Sequence, residues 1–250
     1  MKRKFLSIFF FALTSARPHL AAQSTAYVIN AGPTIGIQKW DNSFDREPLF
    51  KYHVALSIES VDNEDDRGSL FAQFGYHVKG SANRLPLFQP GSGGIQFFSE
   101  QFRFNNLSMT LGAKGKFPIG LSGRGRYFYF GGIRGDYTLN TNIDDFRPQY
   151  FNNAYAAQAL PQIGFMNRWM MGVSFGGGLE FKMSELVGGQ LMLSVNPDVT
   201  NQYSQPTIPN VIDPSNPGNN ANIPQRRICN TTLEISFGLR LLRKVEYIDE

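Results

Sequence analysis

Two of the three histidines, His53 and His77, lie in stretches where apolar and polar residues alternate. Ser57 and Glu59 occupy the same alternate positions as His53. A histidine pair on one face could bind a metal or respond to pH. Ser, His and a carboxylate are the residue types of nucleophilic catalysis. Spacing argues against that chemistry, because four residues along a strand span roughly 13 Å, too far for His53 and Ser57 to share a hydrogen bond. If the turn between the two stretches centres on Asp65, then His53 faces His77, Lys51 faces Lys79 and Ser57 faces Gln73. The flanking lysines repel a cation, and no carboxylate stands as an evident third ligand. The two histidines are therefore read as members of a polar network. No catalytic, cofactor-binding or metal-binding residue is assigned, and no cofactor is expected.

Other candidates fall away on similar grounds. Cys229 is the single cysteine, which excludes a disulfide framework and any multi-cysteine metal site. Asp62, Glu64, Asp65 and Asp66 form an acidic turn without the spacing or closing Glu of a calcium loop. Gly32, Gly36, Gly75, Gly112, Gly132, Gly176, Gly178 and Gly238 do not open a helix after a strand, so a phosphate-cradling loop is rejected. These glycines are expected to relieve crowding in a curved sheet.

The elements that carry these residues follow a period of two, the period of a β-strand. Phe50, Tyr52, Val54, Leu56 and Ile58 oppose Lys51, His53, Ala55, Ser57 and Glu59. Leu70, Ala72, Phe74, Tyr76 and Val78 oppose Gln73, Gly75, His77 and Lys79. Tyr127, Tyr129, Ile133, Tyr137 and Leu139 oppose Arg134, Asp136 and Thr138. Trp169 to Met183 and Leu233 to Leu241 repeat the pattern, with Arg168, Glu180, Lys182, Glu234 and Arg240 on the polar side. Three less regular stretches, near 27–40, 101–114 and 187–195, bring the number of strands to eight. In the second of these the apolar parity flips at Asn105-Asn106, which predicts a β-bulge.

Each stretch is long enough to cross a bilayer when tilted. Tyr27, Trp40, Phe50, Tyr76, Phe102, Tyr137 and Trp169 lie toward strand ends, where an interfacial girdle belongs. Connections 62–68, 115–123 and 184–186 are short, whereas 80–100, 140–167 and 196–227 are long. This asymmetry matches outer-membrane barrels, whose periplasmic turns are short. The last connection is rich in Pro and Asn and is expected to be irregular. A mean hydropathy of −0.26 and the lack of an 18-residue apolar run past the N-terminus exclude a helical membrane bundle.

Met1 to Gln23 reads as a secretory leader, with Lys2, Arg3 and Lys4 ahead of the apolar stretch 5–13 and small residues at 21–22. The expected division is a leader over 1–22 and a barrel over 23–250. The leader holds four of the 24 basic residues and none of the 20 acidic ones, so the remainder is electrically neutral. The basicity of the whole chain then gives no support to nucleic-acid binding.

These observations predict an all-β chain: an eight-stranded antiparallel up-and-down transmembrane β-barrel, its apolar face toward lipid and its charges in the lumen. An interior of that size is filled by side chains, so Arg134, Asp136, Arg168, Glu180, Lys182, Glu234 and Arg240 are expected to pair inside rather than line a pore. A soluble barrel of the lipocalin kind shows the same alternation with the faces reversed.

The segments 74–82, 131–137, 176–181 and 233–240 resemble the small outer-membrane barrels of Bacteroidota, the PorT-like and OmpA/OmpX-like barrels. The resemblance covers essentially the whole exported chain. The ending Lys244-Val245-Glu246-Tyr247-Ile248-Asp249-Glu250 departs from the aromatic last residue usual in proteobacterial barrels. The resemblance implies an outer-membrane protein in contact with lipid, and the residues offer no catalytic apparatus. The long connections beside a filled lumen point to a structural or accessory subunit of an envelope machine for secretion or outer-membrane protein assembly, with other outer-membrane or periplasmic proteins as partners. A surface binding or adhesion barrel using its long loops is the alternative, and a lipid-modifying enzyme a further one.

Overall fold

The computed structural model describes residues 23–41, 46–62, 67–88, 95–120, 125–146, 161–212 and 218–243. The segment expected to be a leader and most of the acidic turn lie outside these residues. Strands β1 (Gln23–Trp40), β2 (Glu47–Asp62), β3 (Gly68–Phe88), β4 (Ile95–Ile119), β5 (Gly125–Thr141), β6 (Trp169–Lys182) and β7 (Val187–Pro197) follow one another around the sheet. Three short strands come next, β8 (Tyr203–Gln205), β9 (Ile208–Ile212) and β10 (Asn220–Ile223), and then β11 (Arg226–Arg243). Antiparallel pairing of β1 with β11, from Thr25↔Arg243 to Trp40↔Ile228, closes the barrel. Eight strands, β1–β7 and β11, form the wall. The chain enters at one rim and β11 ends there; we call it the terminal rim, and the opposite one the far rim. No helix is long and apolar enough to cross a membrane among the described residues.

The two faces decide between a membrane barrel and a soluble one. Outward positions hold Leu70, Phe74, Met109, Ile133, Met171 and Phe237, each more than half exposed. Inward positions hold Asn30, Thr34, His53, Ser57, Glu59, Arg134, Asp136, Glu180 and Glu234, all buried. Water would not tolerate so continuous an apolar belt, whereas lipid requires it, and closure leaves no unpaired edge in the hydrocarbon. The chain is therefore an eight-stranded antiparallel transmembrane β-barrel. Its shortest wall strand has 11 residues, enough to span.

Several expectations change in detail. The connection 80–100 is largely strand, because β3 and β4 stay in register out to Phe88↔Ile95. The 196–227 connection is non-helical but contains β8, β9 and β10. The β4–β5 register does shift at Asn105/Asn106, yet the side chains of β4 keep their faces. Phe102 and Phe104 point inward and are buried. Phe102 therefore belongs to no girdle, and neither does Trp40, which packs against it with ring centroids 5.3 Å apart. Tyr52 with Tyr76, and Tyr137 with Trp169, pair on the outside toward the far rim. Phe117 stacks on Tyr127 and Tyr129 toward the terminal rim.

Inside the barrel the crowding is relieved pairwise. Phe71 faces Gly112, Phe130 faces Gly176 and Phe128 faces Gly178 across neighbouring strands. A Cβ on any of these glycines would sit under 3 Å from the opposing ring. Phe71, Phe128, Phe130 and Met192 thus form an apolar layer across the lumen. It separates two ionic clusters.

Candidate functional site

The far cluster lies above this layer. Lys79 Nζ donates to Asp136 at 2.7 Å and to Asp198 at 2.5 Å. Arg134 contacts the same two carboxylates at 3.1 and 3.0 Å. His77 sits 3.5 Å from Asp136 and 3.4 Å from Glu234. Asn230 donates to Asp198 and to Gln202 at 3.0 Å each. Two lysine or arginine charges thus meet three carboxylates here. The reverse holds below the layer, where Lys114 pairs with Glu59 and with Glu180 at 3.1 Å. Lys116 approaches the same two carboxylates at 3.5 and 3.9 Å, and Arg240 reaches Glu59 at 3.9 Å. Five cations and five carboxylates are shared out between the clusters. Burial makes mutual pairing obligatory for them, because an isolated charge in such a lumen is costly.

A cap closes the far mouth. Phe102, Phe104 and Ile143 pack with Trp40 and Met166. The Arg46 guanidinium lies 3.7 Å above the Trp40 ring, a cation–π contact. The segment after β7 folds inward, so that Asp198, Gln202, Tyr203 and Gln205 are all buried. The Tyr203 hydroxyl donates to Gln205 at 2.7 Å.

His53 and His77 are cross-strand partners, and Ser57 faces Gln73, as expected. Lys51 and Lys79 do not face each other. The β2–β3 register shifts between Pro48 and His53, where four residues of β2 stand against three of β3. Lys51 stays half-buried, while Lys79 is drawn to the aspartates. The imidazoles also turn to different neighbours. His53 lies 2.9 Å from the Thr34 hydroxyl and 2.8 Å from that of Ser236. The serine beside His53 is therefore one from across the barrel, not Ser57. Ser236 is wholly buried, and the gap lined by His77, Arg134 and Glu234 is only about 10 Å³, on the order of one water.

Of the charges expected in the lumen, Arg134, Asp136, Glu180 and Glu234 are buried there, and Arg240 is nearly so. Arg168 and Lys182 are exposed, because each stands at a strand end, where alternation no longer meets an enclosed lumen. Three lumenal charges lie outside the sequence reading of the lumen, and a fourth, Lys79, has other partners than that reading gives it. Lys114 and Lys116 fell at the end of β4 or beyond it, although their even parity with Thr110 was the available signal. Lys79 was assigned to a lysine pair. Asp198 lies in a connection, about which strand parity says nothing.

No protein-family model and no curated protein matches the chain. Solved structures do. Neisserial surface protein A aligns over 86% of this chain and 97% of its own, with 9% identity and a TM-score of 0.43. Ail, the attachment invasion locus protein of Yersinia pestis, was solved with the heparin analogue sucrose octasulfate. It aligns over 87% and 99%, with 11% identity and a TM-score of 0.38. The N-terminal β-barrel domain of Pseudomonas aeruginosa OprF aligns over 86% and 96%, with 11% identity and a TM-score of 0.34. The class assigned above rests on strand pairing and on the two faces, not on these likenesses.

Proposed function

We propose that this is an outer-membrane protein that neither catalyses nor conducts, and that it serves as an accessory subunit of an envelope machine. Its partner engages it at the far rim. One observation carries the reading: a β-ribbon that outruns the wall. β3 pairs with β2 only as far as Ala82↔Glu47, and β4 pairs with β5 only as far as Phe104↔Thr141. Beyond those points β3 and β4 continue with each other alone, to Phe88↔Ile95. Asn142 takes the outer edge of β4 at Gln101 and Arg103, so among the described residues 83–88 and 95–100 have no strand on their outer edges. Free backbone edges recruit a further strand from a partner. The filled lumen supports the same conclusion, since it leaves the surfaces as the place of work. The PorT-like resemblance of the strand motifs agrees with an accessory role.

Affinity purification from mild detergent tests this. The full chain is expected to bring down a stoichiometric envelope protein. A variant with 84–99 replaced by a two-residue turn is expected to lose it while still migrating as a compact band on unheated gels. Recovery of the full chain only as a free monomer would count against the proposal.

A second reading, a binding barrel for surface ligands, draws on the β9–β10 hairpin, where Ile212 is 65% exposed. Deleting 206–222 should then abolish ligand capture and leave the co-purified partner in place.

A further inference from the structure

The β4–β5 bulge shapes the outer face of the wall. Asn106 stands opposite Thr138 and Asn105 opposite Asn140, so Leu139 has no partner on β4. The extra residue reverses the parity of β5. Arg134, Asp136 and Thr138 are buried in the lumen, whereas Leu139 and then Asn140 are both exposed. Bulges re-aim side chains in this way, often beside a site. Without the extra residue, Asn105 would face Leu139 instead of an amide.

The result is a polar row across neighbouring strands. The Tyr76 hydroxyl on β3 donates to Asn105 Oδ1 on β4 at 3.1 Å, and Asn105 Nδ2 donates to Asn140 Oδ1 on β5. Tyr52 on β2 extends the row, 61% exposed and with its ring centroid 6.2 Å from that of Tyr76. Arg103 is exposed, two residues past Asn105 on the same face, and its charge acts on Tyr76. Asn142 fixes the backbone there, accepting from the Arg103 N–H at 2.8 Å. Asp144 and Asp145 are exposed on the turn after β5, yet among the described residues no carboxylate pairs with Arg103. Both asparagine carbonyls are engaged within the row. That leaves the Asn140 amino group and the Arg103 guanidinium as donors. Diagonal neighbours across an antiparallel pair lie about 7–8 Å apart, so one phosphate group can bridge them.

Height decides what meets this row. On the outward face of β5, Tyr127 and Tyr137 are about ten residues apart, roughly 33 Å along the strand and about 25 Å across a bilayer at the usual tilt. That is the height of the apolar band of such a barrel. Asn140 and Arg103 come just past its far edge, at the level of lipid headgroups. Side chains on the wall at this level meet headgroups before any other partner.

We propose that the row binds the phosphorylated sugar headgroup of a glycolipid in the leaflet at the far rim. The phosphate bridges Arg103 and Asn140, with the charge-assisted bonds at the guanidinium. The exposed Tyr52 ring offers a flat apolar surface to the C–H face of a pyranose, and its hydroxyl a partner for a ring hydroxyl. A glycerophospholipid supplies the phosphate without the sugar ring. The inference rests on the outer-membrane placement proposed above and is independent of the ribbon.

The test is native mass spectrometry of the full chain released from phosphatidylcholine nanodiscs that hold equal amounts of diphosphoryl lipid A and phosphatidylglycerol. Lipid A is expected to be retained at least tenfold over phosphatidylglycerol. Arg103→Gln and Asn140→Leu are each expected to reduce that preference at least fivefold. Lys39→Gln removes an exposed cation from β1 toward the same rim and is expected to leave the preference unchanged. All three positions are exposed, so the variants keep the fold, as an unchanged compact band on unheated gels verifies. Equal retention of the two lipids overturns the site. So does a preference that survives both Arg103→Gln and Asn140→Leu, or one that Lys39→Gln lowers as much. The ribbon takes no part in this measurement, so such a failure leaves co-purification to judge the accessory-subunit reading on its own.

Discussion

Asp198 leaves the wall one residue after β7 ends and turns its carboxylate back into the lumen. There it accepts from Lys79, Arg134 and Asn230, so a loop residue neutralises two buried cations. Asp198→Ala removes one partner and leaves both cations in place. The expected loss is about 3–5 kcal/mol, read as the shift of the urea midpoint of the barrel in lipid vesicles. Replacing Lys79 and Asp198 together with Met and Leu should lose less than Asp198→Ala alone, because no buried charge is then orphaned. A double variant less stable than the single one would contradict the pairing described. At this scale the sequence disclosed Arg134, Asp136, Glu180 and Glu234 through their parity. Asp198 stayed hidden because alternation carries no information once a strand has ended.

The strands themselves were legible wherever one face was apolar. Ile133, midway along β5 and 64% exposed, faces acyl chains. Ile133→Lys should cost about 2–4 kcal/mol, as expected for a lysine near the bilayer midplane, by the same vesicle unfolding measurement. A soluble strand surface would accept that change with little effect. On the opposite face Gly176 lies beneath Phe130, and a Cβ there would sit 2.2 Å from the Leu193 carbonyl oxygen. Gly176→Val is expected to abolish folding, seen as loss of the compact band on unheated gels. A folded Gly176→Val barrel would show that the layer is looser than described. Strand ends were less legible. Phe102 and Trp40 are aromatic residues near strand ends, as girdle residues are, yet they cap the lumen. Type and position do not reveal which way a side chain points once the wall passes the membrane.

Taken as a whole, the molecule is an inverted globule with charge inside and hydrocarbon outside. In planar bilayers it is expected to show no sustained conductance steps, because the apolar layer of Phe71, Phe128, Phe130 and Met192 divides two buried ionic clusters. Stable open steps of the unaltered protein would contradict that packing. The chain without residues 1–22 should also remain dispersed only in detergent or lipid. A monomer soluble in plain buffer would remove the membrane assignment and the outer-membrane proposal with it. The sequence by itself determined the number of strands, their antiparallel order and the division into an apolar and a charged face, because side chains alternate strictly along a strand and short turns force neighbours together. Only the tertiary structure decided which face is inside, since alternation is symmetric until the sheet closes. It alone decided which charges meet, since those partners lie far apart in sequence and are joined by curvature. The ribbon that rises past the wall was likewise invisible, because its strand character depends on a partner strand rather than on periodicity.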